Sequence, residues 1–154
     1  SPQGVEEVTW VVSEAEKRLF SWAYWQFKYY GDFTTASRPG TQESFYDAEG
    51  NLQFAKVKAL SRTYAQATCG IPISSIFNET SSHYKLVYKS VDCKQQPTEI
   101  YLNEQWYYPK GFSASVIPSS AASVNHVSSN VLHIVHAASL PVGTEITVEV
   151  FASK

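Results

Sequence analysis

The chain has 154 residues, of which 44% are hydrophobic and 14% aromatic, and its formal net charge is -2. This length fits one ordinary domain or two small ones, and the apolar fraction is enough to build a packed core. The balanced charge argues against a nucleic-acid partner, because binding nucleic acid requires a basic surface. The absence of a long apolar run argues against a transmembrane segment.

Apolar residues at three- and four-residue spacing predict a first amphipathic helix. Its apolar stripe consists of Val5, Val8, Val12, Ala15 and Leu19. Four glutamates lie off that stripe, namely Glu6, Glu7, Glu14 and Glu16. We interpret these carboxylates as a solvent-facing surface rather than as catalytic groups.

The segment from Ser21 to Asp32, SWAYWQFKYYGD, is unusually rich in aromatic residues. A strand from Phe20 to Lys28 would carry apolar side chains on both faces, because neighbouring residues alternate between faces. Such a strand is typical of a parallel sheet covered by helices. It is either a buried core strand without further role, which composition alone favours, or the last strand of a (β/α) barrel, whose C-terminal end forms part of an active-site floor.

A loop rich in Gly, Thr and Ser follows, and a second helix is predicted over Ala55–Ala67. We expect Gly70 to end this helix, and Pro72 forbids its continuation. The residues expected on its inner face are Val57, Leu60 and Tyr64. Those expected to point to solvent are Lys56, Lys58 and Arg62.

Short alternating segments after Pro72 predict an antiparallel β-sandwich. The predicted strands are Ser75–Asn78, Tyr84–Ser90, Thr98–Leu102, Phe112–Ile117, Val131–His136 and Glu145–Phe151. The first region has only one predicted strand, which cannot pair its own edges. We therefore interpret residues 1–71 as the end of a larger α/β domain and residues 72–154 as the sandwich, so that the chain is a fragment or one subunit of a cleaved protein.

Two cysteines and one sequon indicate the cellular compartment. Cys69 and Cys93 flank the N-glycosylation triplet Asn78-Glu79-Thr80. Together they favour a secreted, extracellular or lysosomal protein with a Cys69–Cys93 disulfide and a glycan on Asn78. Such a bridge would add roughly 3 kcal/mol to the free energy of unfolding in the chain-entropy model. Two reduced, buried thiols are the alternative.

No metal site or cofactor is predicted. His133 and His136 are three residues apart on a predicted strand, so they face opposite sides and do not form a ligand pair. Cys69 is expected to be bridged or buried rather than nucleophilic.

Three segments resemble the C-terminal portion of endoglycoceramidases, which belong to glycoside hydrolase family five. They are SWAYWQFKYYGD at 21–32, FYDAEGNLQFAKVKALSRTYAQATCGIP at 45–72 and PTEIYLNEQWYYPKGF at 97–112. The resemblance extends in the same order over nearly the whole chain. It implies the final strand and flanking helices of a (β/α)8 TIM barrel in residues 1–71, followed by the β-sandwich. It also implies hydrolysis, with retention, of the bond between a glycan and ceramide.

Retaining hydrolysis requires two closely spaced carboxylates. In the family these lie at the ends of the fourth and seventh barrel strands, and no Asp or Glu of this chain matches either motif. The resemblance therefore implies that the catalytic pair is supplied by a separate upstream chain. It also implies an aromatic wall that binds the ligand, with Trp25 stacking on a sugar ring. The residues of this predicted wall are Trp25, Phe27, Lys28, Tyr30 and Asp32.

Two functions stay open, and a third ranks last. In the first, the chain completes a barrel with an N-terminal chain, as a heterodimer or a processed two-chain protein, binds glycolipid, and is inactive alone. In the second, a non-catalytic protein of the same scaffold holds an apolar ligand, a lipid or a carotenoid, between barrel and sandwich. The third is a carbohydrate- or membrane-surface module formed by residues 72–154.

Overall fold

A computed structural model of the chain describes residues 2–31, 43–94 and 96–154. Three helices and eight strands follow one another within these ranges. The helices are α1 (Pro2–Lys17), α2 (Phe54–Leu60) and α3 (Glu104–Tyr107). The strands are β1 (Tyr64–Ala67), β2 (Gly70–Asn78), β3 (His83–Ser90), β4 (Thr98–Tyr101), β5 (Phe112–Ile117), β6 (Ala122–Ser128), β7 (Val131–His136) and β8 (Glu145–Ala152).

The strands form two four-stranded sheets, with the orders β1-β4-β7-β6 and β2-β3-β8-β5. All of their pairings are antiparallel. The predicted fold class is the last β/α elements of a TIM barrel followed by an antiparallel β-sandwich, and the β-sandwich is confirmed. Each of the six predicted strands coincides with a strand of the structure or lies largely within one.

The core lies between the two sheets. Alternate residues of the central strands point inward, which is the pattern that the alternation of polar and apolar residues predicts. The fully buried side chains include Tyr84, Leu86 and Tyr88 of β3, Ile146, Val148 and Val150 of β8, and Ile100, Leu132 and Ile134 of the facing sheet. The sandwich thus forms its core from residues of this chain.

The second predicted helix is wrong in its C-terminal half. Helix α2 ends at Leu60, and Tyr64–Ala67 form β1, which pairs with β4 so that Tyr64 lies opposite Tyr101. Tertiary pairing decides the conformation here, because β4 offers a free edge to a segment that begins with Thr63 and Tyr64, residue types that favour strands. Arg62 does not point to solvent, since its side chain is only 2% exposed.

Strand β2 is an edge strand that contains Pro72. Its register with β3 shifts between Pro72 and Ser74, which marks a bulge. Proline lacks an N–H group and is tolerated at sheet edges and bulges. Strand β1 already belongs to the sandwich, although it precedes the division at residues 71–72; the assignment of residues 1–71 to a barrel stays a prediction.

The strand predicted over Phe20–Lys28 is not formed. A strand requires a hydrogen-bonded neighbouring strand, whereas the backbone bonds of this segment join Phe20 to Ala15 of α1 and join Gln26 and Phe27 to residues 43–45. Gln26 N–H donates to Glu43 O at 3.4 Å, and Phe45 N–H donates to Gln26 O at 2.9 Å. Among the described residues, no helix is both long and apolar enough to cross a membrane.

Candidate functional site

The segment 20–30 exposes large aromatic side chains rather than burying them. Trp25 is 64% exposed and Phe27 66%, and Phe20 and Tyr30 are also exposed. The peptide bond between Trp25 and Gln26 is cis. We call this segment the aromatic segment. The expectation that it is a buried core strand is wrong for this chain, because no described element covers it.

A small aromatic cluster anchors one side of the segment. Tyr24 stacks on Phe45 with ring centroids 5.6 Å apart, and the Phe27 ring meets Tyr46 edge-on at 5.5 Å. Edge-on and offset arrangements of this kind are the favourable geometries of aromatic pairs. The aromatic segment is therefore attached to residues 43–46, while the rings of Trp25 and Tyr30 are exposed.

Lys56 lies under this cluster and is buried, contrary to the prediction that it points to solvent. Its Nζ donates to the carbonyl oxygen of Ser44 at 3.3 Å and lies 6.0 Å from the centre of the Tyr24 ring. Burial lowers the pKa of the Lys56 ammonium group. Burial, helped by the nearby Glu43 carboxylate, raises the pKa of Tyr24 to about 12.

A cavity of about 680 Å³ is lined by residues of α1, of the aromatic segment and of the sandwich. We call it the seam pocket. Its apolar lining includes Leu19, Phe20, Trp22, Leu60, Pro72 and Leu86, and its polar lining includes Glu16, Arg62, Tyr64 and Tyr101. Cavities of this size, largely apolar with a few polar groups, are typical of sites for small molecules.

The Glu16–Arg62 ion pair forms one wall of the seam pocket. Arg62 Nε lies 2.5 Å from Glu16 Oε1, and Nη2 lies 2.8 Å from Oε2, so the contact is bidentate. Arg62 Nη2 also donates to the carbonyl oxygen of Phe77 at 2.8 Å. Glu16 comes from α1 and Phe77 from β2, so Arg62 ties α1 to the sandwich.

The four described residues of the predicted wall do not line the seam pocket. Among the described residues that line it, Trp22 is the only tryptophan, and neither Trp25 nor Phe27 contributes. Lys28 and Tyr30, which follow Phe27 in the aromatic segment, are exposed to solvent. Asp32 lies outside the described residues, so the structure does not place it. Whether these five residues form a binding wall stays a prediction.

Sequence reasoning missed Glu16 and Arg62, which are 46 residues apart. Glu16 was expected on a solvent-facing surface and Arg62 on the outer side of a helix. An isolated carboxylate and an isolated guanidinium carry no signal of a distant partner in a single sequence.

The disulfide between Cys69 and Cys93 is present, with the Cα atoms 5.7 Å apart. This confirms the expected pairing and rules out the alternative of two reduced thiols in this structure. Asn78 ends β2 at an exposed turn, where its side-chain oxygen accepts hydrogen bonds from the N–H groups of Thr80 and Ser81. Its glycosylation stays a prediction.

The two histidines of β7 face opposite sides, as expected. His133 Nε2 lies 3.1 Å from Glu99 Oε2, whereas His136 points to the disulfide, with Nδ1 3.4 Å from Cys69 Sγ. The closeness of His136 to both cysteines was not foreseen, because the three residues are far apart in the sequence.

The architecture defines a class: an antiparallel two-sheet β-sandwich with a helical region packed on one edge. The family described as "Glycoside hydrolase family 5 C-terminal domain" matches residues 62–150, which is more than half of the chain. The chain belongs to this family. The match begins just before β1 and ends within β8, so it covers the sandwich.

Curated relatives and solved structures agree with this assignment. An endoglycoceramidase of Cyanea nozakii is 27% identical over 133 residues, which are 86% of this chain and 26% of that protein. An endoglycoceramidase of Hydra vulgaris is 31% identical over 100 residues, 64% of this chain and 18% of that protein. The chain thus spans about a quarter or less of the curated relatives it matches.

Two solved structures share the fold. Endo-glycoceramidase II from Rhodococcus sp. superposes with a TM-score of 0.69 at 21% identity, over 97% of this chain and 29% of that one. Sterylglucosidase 1 of Cryptococcus neoformans gives a TM-score of 0.76 at 19% identity, over 97% of this chain and 24% of that one. Because 97% of the chain is covered, the likeness of fold includes the region of α1 and α2.

Proposed function

We propose that this chain is the C-terminal part of an endoglycoceramidase-like glycoside hydrolase and completes a barrel whose remaining strands lie on a separate N-terminal chain. The observation that carries the proposal is the exposed aromatic segment. Isolated exposed rings are ordinary, but several large rings along one short segment mark a surface that another element covers. The family membership and the likeness of fold to endo-glycoceramidase II support a barrel as that element.

In this proposal the aromatic segment forms part of the wall that binds the glycolipid. Trp25 offers an apolar ring face to the C–H groups of a sugar, and Phe27 and Tyr30 extend the apolar surface. Lys28 and Asp32 supply a donor and an acceptor for sugar hydroxyls. The wall positions substrate and carries no bond-breaking group of its own.

The partner chain supplies both catalytic carboxylates. Retaining hydrolysis uses one as acid and base and the other as nucleophile. Glu16 lies at the seam pocket, but both of its carboxylate oxygens are held by Arg62. We therefore give Glu16 a structural role and expect the isolated chain to be inactive.

The same proposal places the protein outside the cytosol, in a secreted or lysosomal setting. The disulfide is stable under oxidising conditions, and Asn78 is exposed at a turn. Treating the natural protein with an N-glycosidase should lower its mass by one glycan, and replacing Asn78 by Gln should abolish that change.

Activity on a fluorescent glycosylceramide tests the proposal. The natural assembly should release labelled ceramide, and the isolated chain should not. Trp25→Ala should lower kcat/KM at least tenfold, whereas Phe151→Ala, which removes an exposed ring of the sandwich, should leave it unchanged. Hydrolysis by the isolated chain, or equal effects of the two substitutions, would contradict the proposal.

A second function is favoured by the seam pocket. A cavity of about 680 Å³ with largely apolar walls suits a lipid or a carotenoid bound without chemistry. This function predicts a small molecule that dissociates from the natural protein on denaturation, with visible absorption if it is a polyene. Intact paired glutamates in the partner chain, together with turnover, would favour the hydrolase instead.

A further inference from the structure

Cys69, Cys93 and His136 meet at one end of the sandwich. The two sulfur atoms and the nearest imidazole nitrogen all lie within 4.8 Å of one another. Cys69 lies between β1 and β2, Cys93 follows β3, and His136 ends β7. Three distant parts of the chain therefore bring soft donor atoms together in one place.

A network of hydrogen bonds orients the imidazole. Tyr88 Oη lies 2.9 Å from His136 Nε2, and the two rings are stacked with centroids 5.7 Å apart. These contacts direct Nδ1 toward the sulfur of Cys69, 3.4 Å away. On the other side of the cluster, the N–H group of Cys69 donates to Thr98 Oγ1 at 2.8 Å, which fixes the backbone of the cysteine.

The His136 side chain is half-buried, with the Tyr88 hydroxyl at one ring nitrogen and Cys69 Sγ at the other. The neutral ring is the form that binds metal ions. A ligand histidine usually has its second nitrogen hydrogen-bonded, which holds the ring in place, and Tyr88 provides that contact here.

We propose that reduction of the Cys69–Cys93 disulfide converts this cluster into a site for a thiophilic divalent cation such as Zn²⁺. Its ligands are both thiolates and His136 Nδ1. Zinc–sulfur and zinc–nitrogen bonds of about 2.3 and 2.0 Å in a tetrahedral site separate sulfur and nitrogen by about 3.5 Å. The observed separation of 3.4 Å between Cys69 Sγ and His136 Nδ1 is close to that value.

Conversion requires a dithiol reductant and releases protons. The reductant donates two electrons and two protons, the S–S bond breaks to give two thiols, and the reductant becomes a disulfide. Metal binding then displaces both thiol protons to solvent. His136 binds through Nδ1 and carries its proton on Nε2, which donates to Tyr88 Oη.

The surroundings leave room for a fourth ligand. A cavity of about 460 Å³ opens beside Cys93 and His136, and its lining includes Ser90, Asp92 and Lys94. A water molecule can occupy the remaining tetrahedral position from this side. Zinc sites with three protein ligands and one water are a common arrangement.

Cobalt(II) titration of the full chain tests the proposal. The chain is reduced with a dithiol, freed of reductant without oxygen, and titrated while circular dichroism follows its fold. We expect one equivalent of Co²⁺ to bind with a near-ultraviolet thiolate charge-transfer band, which Zn²⁺ removes. The oxidised chain should not give this band.

Two substitutions provide the matched comparison. His136→Ala should weaken Co²⁺ binding at least tenfold. His133→Ala removes the neighbouring histidine that faces Glu99, and it should leave the affinity unchanged. The proposal is overturned if the reduced chain gives no thiolate band, if both variants bind like the parent, or if the reduced chain unfolds and metal does not restore its fold.

Discussion

The sandwich and the N-terminal region differ in what covers their aromatic residues. In the sandwich, Tyr84 and Tyr88 are fully buried between two sheets of this chain. In the N-terminal region, Trp25 and Phe27 are exposed, although they lie in the most aromatic stretch of the sequence. The difference teaches that the sandwich supplies its own core, whereas the N-terminal region presents an apolar surface suited to another element.

The two regions meet through several contacts and one cavity. Tyr107 Oη donates to the carbonyl oxygen of Lys58 at 2.7 Å, and the Phe54 ring meets Trp106 edge-on. Arg62 links α1 to β2 through Glu16 and Phe77, and the seam pocket lies beside this contact. The junction is therefore specific but not fully packed. Substitutions in each region and at Arg62 test this contrast, and the substitution with the largest expected loss of stability comes first.

Replacing Arg62 with Ala should give the largest loss. It leaves the half-buried Glu16 carboxylate without its cation, and breaking a buried pair in this way costs about 3–5 kcal/mol. Amide hydrogen exchange should show that α1 loses protection, while β3 and β8 keep theirs. Arg18→Ala removes an exposed ion pair with Glu14 and should cost at most about 1 kcal/mol. Equal exchange of α1 in the parent and in Arg62→Ala would show that this contact does not hold the helix.

Replacing Leu86 with Ala should destabilise the sandwich by about 2–5 kcal/mol. Leu86 is fully buried in β3, so the substitution removes packed methyl groups and leaves a cavity. Urea unfolding followed by far-ultraviolet circular dichroism measures the change. A loss below about 1 kcal/mol would contradict the assignment of Leu86 to the core.

Replacing Trp25 with Ala should change the stability of the isolated chain by about 0.5 kcal/mol or less, because its ring already faces water. The same substitution should weaken the assembly with the partner chain. Urea unfolding measures the first effect, and the dissociation constant of the two chains measures the second. A large loss of stability in the isolated chain would mean that Trp25 is packed within this chain.

The smallest effect concerns His136. Because burial lowers its pKa, the unfolded chain binds more protons than the folded chain as the pH falls through about 6.5. The free energy of unfolding should therefore fall as the pH is lowered from 7.5 to 5.5, and His136→Gln should reduce this dependence. The groups around His136 are the Tyr88 phenol, the disulfide, Asp92 and Lys94. Parallel pH profiles for the parent and the variant would contradict this prediction.

The sandwich was predictable because its strands carry a local signal. Tyr84, Leu86 and Tyr88 share one face of their strand, whereas Lys85 and Lys89 lie on the other, and each such strand indicates its own buried face. Strand β6 was missed because its N-terminal end overlaps the Ser- and Ala-rich stretch 119–123. Strand β1 was missed because the apolar spacing through Val57 and Leu60 continues to Tyr64 at helical intervals. Tertiary pairing with β4 overrides that pattern.

The candidate site was less predictable than the fold. Clustering of aromatic residues identified the segment around Trp25 but not its exposure, because exposure depends on what packs against it. The contacts of Arg62 with Glu16, and of His136 with Cys69, join residues far apart in sequence. A single sequence contains no periodicity that indicates such pairs.

Mass spectrometry of the natural protein, first native and then denaturing, tests the central claim most directly. The account predicts that a second, larger chain accompanies this one in the native spectrum and separates on denaturation, and that its sequence contains the two catalytic glutamates. If this chain is alone in both spectra, no barrel covers the aromatic segment, and the account is contradicted.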